Sequence, residues 1–227
     1  MKAVIFGATG MVGQGVLREC LIDPEVERII TVGRTEPDIS NPKLQNIILA
    51  DMFNYTSIEP QLTGLDACFF CLGVSAAGLS EEQYEKLTFT LTLAAAETLS
   101  RLNPSLTFIY VSGAGTDSSE KGRMMWARVK GKTENTLLGM RFKSAYMFRP
   151  GIIQPAHGEQ SKTRAYRIGY ALFRPVFPLL RLFLRRQILT TEEIGRAMIN
   201  VARRGASKKI LEVSDISACA KSESIAS

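Results

Sequence analysis

Short apolar runs alternate along this chain with stretches whose apolar residues recur every three or four positions. KAVIF (2–6), RIITV (28–32), NIILA (46–50), ACFFCLG (67–73), LTFIYVS (106–112) and SAYMFRP (144–150) are the runs. Nearly continuous apolar strands suit a parallel sheet covered on both faces. Between them, Met11, Val12, Val16, Leu17 and Leu21 share helical spacing, and Asp23-Pro24 ends that helix. A long helix is predicted from about Ser80, with its stripe at Leu87, Leu91 and Ala95 and its stop at Asn103-Pro104. Residues 121–139 read as a further helix, and 190–202 as a capped one, with Thr190 or Thr191 leading and Glu193 in the first turn. This alternation predicts the α/β class: a doubly wound parallel sheet of the Rossmann type. One domain is expected over 1–213, with a helical, basic segment over 162–204. A small, polar, flexible tail is expected over 214–227.

The first predicted strand runs straight into GATGMVG (7–13) and then into a helix. A phosphate at a helix N-terminus meets free N–H groups and the positive end of the helix dipole. Gly7, Gly10 and Gly13 suit the sharp turn, the close approach of a pyrophosphate and the packing of helix on strand. Thr9, Met11 and Val12 complete the candidate phosphate loop. In this context the three glycines form a dinucleotide-binding fingerprint. Gly15 has only packing to offer.

The end of the second strand selects the nucleotide. A carboxylate there would take the adenosine ribose hydroxyls and favour NAD. The chain instead reads TVGRT, and Arg34 suits a 2′-phosphate, so NADP is favoured over NAD. Asp51 follows the third strand, where it suits the adenine amino group. Leu72 and Gly73 follow the fourth and offer backbone to the nucleotide.

The glycine turn, VGR (32–34), CLG (71–73), YVSGAG (110–115), WARVKGKTE (126–134) and FRPG (148–151) resemble the short-chain dehydrogenase/reductase superfamily in its atypical branch. The likeness is to the small Tat-interacting-protein-like oxidoreductases. It implies a nicotinamide dinucleotide cofactor, no metal, and catalytic roles for Ser112 and Lys130. It also implies cofactor contacts at Lys130, Pro150 and Ile152. In that superfamily a serine orients the substrate carbonyl, and a tyrosine four residues before a lysine transfers the proton. The tyrosine position here is Trp126, whose indole donates a hydrogen bond but is no acid or base near neutrality. Three readings stay open: another group, such as His157, Tyr84 or Tyr110, supplies the proton; the protein binds NADP(H) as a non-catalytic sensor or scaffold for a protein partner; or a different residue faces the site.

Charge sharpens one region. The net charge is +6, yet twelve Lys and Arg between Lys162 and Lys209 meet only Glu192 and Glu193. With its interspersed Phe and Leu, 165–189 suits either a lid over an unknown small-molecule substrate or a peripheral contact with anionic lipid. Its prolines and arginines argue against a membrane span, and its pattern makes nucleic acid an unfavoured partner. Cys68 and Cys71 sit three apart in an apolar run, on opposite faces of a strand, and read as small buried residues. With no leader ahead of Lys2, a cytoplasmic location is expected.

Overall fold

The computed structural model describes residues 1–159 and 187–221. Seven parallel strands form one sheet: β1 (Lys2–Phe6), β2 (Arg28–Gly33), β3 (Leu44–Ile48), β4 (Ala67–Phe70), β5 (Thr107–Val111), β6 (Ser144–Arg149) and, at the far edge, β9 (Ile210–Glu212). Their order is β3-β2-β1-β4-β5-β6-β9. The sequence direction reverses between β1 and β4, the switch point at which open α/β sheets place their ligands. Two further strands, β7 (Ile152–Gln154) and β8 (Ile188–Thr190), pair in parallel as a separate ribbon.

Residue alternation within each strand builds two cores. Ala3, Ile5, Phe69 and Phe148 face one way and pack on α1 (Met11–Ile22), α5 (Thr191–Arg204) and α6 (Val213–Lys221). Val4, Phe6, Phe70 and Met147 face the other way, toward α3 (Leu91–Leu102) and α4 (Met125–Gly139). Phe6, Phe70 and Phe108 stack in succession at centroid separations of 5.2 and 5.9 Å. Each fully buried ring of this kind contributes roughly 1.5–3 kcal/mol. Cys68 lies in the second core and Cys71 packs against the first, as strand alternation requires.

The long helix predicted from Ser80 is three pieces in line. Ser80 and Gln83 form a capping box ahead of α2 (Glu81–Glu85), a π turn spans Lys86–Thr90, and α3 follows. The capping box predicted near Thr190 is present, with Thr190 Oγ1 accepting from Glu193 N–H at 3.0 Å and Glu193 Oε2 accepting from Thr190 N–H at 2.8 Å. Two expectations are corrected. The expected tail from residue 214 begins as a helix: α6 runs to Lys221, because Ile216 and Ala220 bury against α5, and 222–227 lie outside the described residues. Within the described part of the expected helical segment 162–204, Ile188–Thr190 form a strand, β8, and Thr191–Arg204 form the helix α5. Residues 160–186, which hold most of the basic segment, lie outside the described residues.

Helix α1 packs on α5 through small residues. A Cβ on Gly15 would lie 2.6 Å from Thr191 Cβ, and one on Gly195 would lie 2.7 Å from Glu19 Cγ. Gly15 therefore serves helix packing.

Candidate functional site

The chain leaves β1 through Gly7, whose φ of +78° disfavours any side chain. A Cβ there would meet the backbone nitrogen of Leu72 at 2.7 Å, so the turn lies directly on the loop after β4. A Cβ on Gly13 would stand 2.1 Å from the Gly7 carbonyl oxygen, so only glycine lets α1 sit this close to β1. Gly10 caps α1 with an extended backbone, and a Cβ there would approach only the Gly7 oxygen, at 3.3 Å. The side of Gly10 away from the protein is open.

No side chain caps α1, and no acidic residue occupies its first turn. The N–H groups of Met11, Val12 and Gly13 precede the first helical hydrogen bond, from Gln14 N–H to Gly10 O at 2.8 Å. Gln14 steadies the loop by donating to the Thr9 carbonyl at 3.0 Å. A cradle of free N–H groups, shaped by glycines and facing the switch point, fits a diphosphate.

Around this corner, Arg34 is exposed just past β2, and it makes no hydrogen bond or ion pair among the described residues. Asp51 is exposed, and its Oδ1 accepts from Phe53 N–H at 2.9 Å. Leu72 is half-buried and Gly73 exposed. Pro150 is buried, its carbonyl accepting from Ala114 N–H at 2.8 Å, while Ile152 is exposed in β7.

Helix α4 carries Trp126 and Lys130 one turn apart on the face that meets the loop after β5. The Trp126 ring would lie 3.4 Å from a Cβ on Gly115, and Lys130 Nζ would lie 3.8 Å from one on Gly113. Gly131 lets that loop reach the helix, since its Cβ would collide with the Asp117 carbonyl. Two exposed pairs hold α4 to α2: Arg128 to Glu81 and Lys132 to Glu85, each at 2.6 Å.

Ser112 and Lys130 do meet, through the serine backbone: Lys130 Nζ donates to the Ser112 carbonyl. The Ser112 hydroxyl points elsewhere. It donates to Glu134 Oε1 at 2.5 Å and lies 3.1 Å from the Phe148 carbonyl oxygen. Glu134 is completely buried and accepts from Arg149 Nη2 at 2.5 Å and Nε at 3.1 Å. Arg149 also reaches Glu212 at 3.2 Å and Ser118 at 2.6 Å. Sequence reading missed Glu134, Arg149 and Gly131. Glu134 stands four residues past Lys130, hence on the same helical face, and that spacing was the available signal.

Burial pushes the Lys130 amine down to about 8, against the pull of Glu134. The other candidate proton donors are engaged or enclosed. Tyr84 and Tyr110 are each 2% exposed, and burial raises both phenols. His157 Nε2 lies 3.0 Å from Glu192 Oε2 in the first turn of α5. No group of residues suited to holding a metal occurs among the described residues.

No protein-family model matches the chain. Among solved structures it is similar to ADP-L-glycero-D-manno-heptose-6-epimerase of Helicobacter pylori, with a TM-score of 0.68 at 15% identity over 95% of this chain and 79% of that one. It is also similar to a short chain dehydrogenase family protein of Francisella tularensis, with a TM-score of 0.64 at 13% identity over 94% and 98% of the two chains. The Bordetella bronchiseptica enzyme WbmF, solved in complex with NAD+, matches with a TM-score of 0.64 at 14% identity over 96% and 76%. These likenesses show the fold of the short-chain dehydrogenases and epimerases. By sequence, the chain is 31% identical over 166 residues to protein FMP52-2, mitochondrial, of Scheffersomyces stipitis, covering 72% of this chain and 69% of that protein. It is 30% identical over 170 residues to protein fmp52, mitochondrial, of Emericella nidulans, covering 72% and 70%. The expectation of a cytoplasmic location is overturned here, because these relatives are named as mitochondrial proteins. With 30–31% of the aligned residues identical over more than two thirds of both lengths, the chain belongs to the FMP52 family.

Proposed function

We propose that this protein binds NADP(H) at the α1 corner. We propose further that it acts as an atypical short-chain oxidoreductase, of the Tat-interacting-protein-like kind, on a small carbonyl or hydroxyl substrate. The uncapped amino end of α1 behind Gly7, Gly10 and Gly13 carries this reading, because it supplies N–H groups and space for a diphosphate at the switch point. WbmF, with the same fold, was solved with NAD+. Arg34 favours the 2′-phosphate form, since an exposed guanidinium with no partner among the described residues is available to a phosphate. Asp51, Leu72, Gly73, Pro150 and Ile152 are the proposed supporting contacts. Lys130 is proposed to hold the nicotinamide ribose. The bound dinucleotide supplies a hydride.

A second reading is a non-catalytic NADP(H) sensor. Two observations favour it: Trp126 at the tyrosine position, and the Ser112 hydroxyl committed to buried Glu134. Calorimetric titration of NADPH and NADH into the parent and Arg34→Ala tests the cofactor assignment. Loss of one charge-assisted contact costs NADPH about 1.5–3 kcal/mol and leaves NADH nearly unchanged. Equal losses for both would refute the role of Arg34.

A further inference from the structure

We propose that Lys130 is itself the proton donor of this site, delivering an Nζ proton to the carbonyl oxygen of the substrate. The inference rests on the oxidoreductase reading above. Its first ground is position. Trp126 fills the turn where the tyrosine would stand and lies against Gly115; the next turn presents the Lys130 amine beside Gly113. With glycine at 113, no side chain stands between the amine and that loop.

The second ground is that the other groups nearby are committed. Ser112 is 4% exposed, and its hydroxyl is held by Glu134. From β5, Tyr110 is enclosed, and from α2 Tyr84 is enclosed. Glu81 and Glu85 of α2 are paired with Arg128 and Lys132. On its own helix the charged neighbour of Lys130 is Glu134, which Arg149 of β6 clamps through two nitrogens. Among the described residues Lys130 is left as the titratable donor facing the loop after β5; its Nζ donates one N–H to the Ser112 carbonyl and keeps two others. Its depressed acidity range, about 8, keeps it protonated near neutrality while making it a stronger acid than an ordinary lysine.

The step balances. As the carbonyl carbon gains the hydride that bound NADPH would supply in becoming NADP+, a C–H bond forms and the C=O π pair moves onto oxygen. An O–H bond forms while an Nζ–H bond of Lys130 breaks. The neutral amine then regains a proton from water. In the direction of alcohol oxidation the neutral amine takes the hydroxyl proton instead.

The test compares the parent with Lys130→Arg, which keeps a positive charge but is too weak an acid to give up its proton. NADPH binding is followed by nicotinamide fluorescence. Oxidation of NADPH is followed with a panel of aldehydes and quinones from about pH 6 to about pH 10. On the cofactor-free protein, acetic anhydride labelling of Lys130 against pH is read by mass spectrometry. The expected parent rate is level below a pH of about 8 and falls about tenfold per unit above it. Lys130→Arg should bind NADPH within a few-fold of the parent and lose about 100-fold or more in turnover. The labelling midpoint should fall near the same pH. Turnover by Lys130→Arg at the parent rate, a rate flat or rising across that pH, or a parent that binds NADPH but oxidises it with no carbonyl would each overturn the assignment. A parent that fails to bind NADPH overturns the oxidoreductase reading itself, a distinguishable result.

Discussion

Ser112 and Glu134 meet in the interior, the serine hydroxyl donating to a carboxylate with no solvent exposure across 2.5 Å. The contact joins the loop after β5 to α4, and through Arg149 it extends to β6 and β9. Removing Glu134 takes from Arg149 its buried ionic partner and leaves it the half-exposed Glu212. Glu134→Ala should therefore cost about 3–5 kcal/mol, a large share of a typical domain's stability of about 5–15 kcal/mol. The double variant Glu134→Ala with Arg149→Ala should lose less than the sum of the two single losses. Urea unfolding of the four proteins measures this, and strict additivity would show that the pair is not coupled.

The Lys130 amine carries a stability cost of its own. Its folded value lies near 8, below the ordinary 10.5, so between these the unfolded chain binds more protons. Stability therefore rises with pH through that window, and the full cost is present below it. Lys130→Met should be more stable than the parent near pH 7, on the order of 1–3 kcal/mol, with the gap closing toward about pH 10.5. A variant less stable than the parent at neutral pH would contradict the desolvation of this amine.

At the α1–α5 contact, Gly15→Ala should destabilise. The new methyl would overlap Thr191 Cβ at 2.6 Å and the Thr191 carbonyl oxygen at 2.8 Å. Overpacking of this kind costs about 1–3 kcal/mol. Thermal melts of the parent and variant decide it, and an unchanged midpoint would mean that the two helices separate freely.

Much of this architecture was legible in the residues. The runs from KAVIF to SAYMFRP became β1 to β6; apart from β3 at the sheet edge, these strands are buried on both faces and so are apolar at nearly every position. The ribbon β7–β8 and the edge strand β9 were not legible. Each is three residues long, too short for any period, and each depends on partners distant in sequence. Helix α6 was hidden by composition: VSDISACAK looks like a polar tail until Ile216 and Ala220 find α5. At the site, the glycine corner was readable because its backbone geometry demands glycine. The destination of the Ser112 hydroxyl was not, since a glutamate on a helix reads as solvated until its burial and its arginine are known.

Gly10 is the residue that separates the proposed role of the α1 corner, holding the diphosphate of NADP(H), from folding. The Gly10 backbone is in an ordinary extended region, and a Cβ there meets only the Gly7 oxygen at 3.3 Å. Gly10→Val should keep the parent's circular dichroism while its side chain fills the approach of the diphosphate. Titration calorimetry with NADPH on the two proteins is the direct measurement. Saturable binding by the parent and its loss in a folded Gly10→Val are the predicted result; no binding by the parent, or equal binding by both, would contradict it.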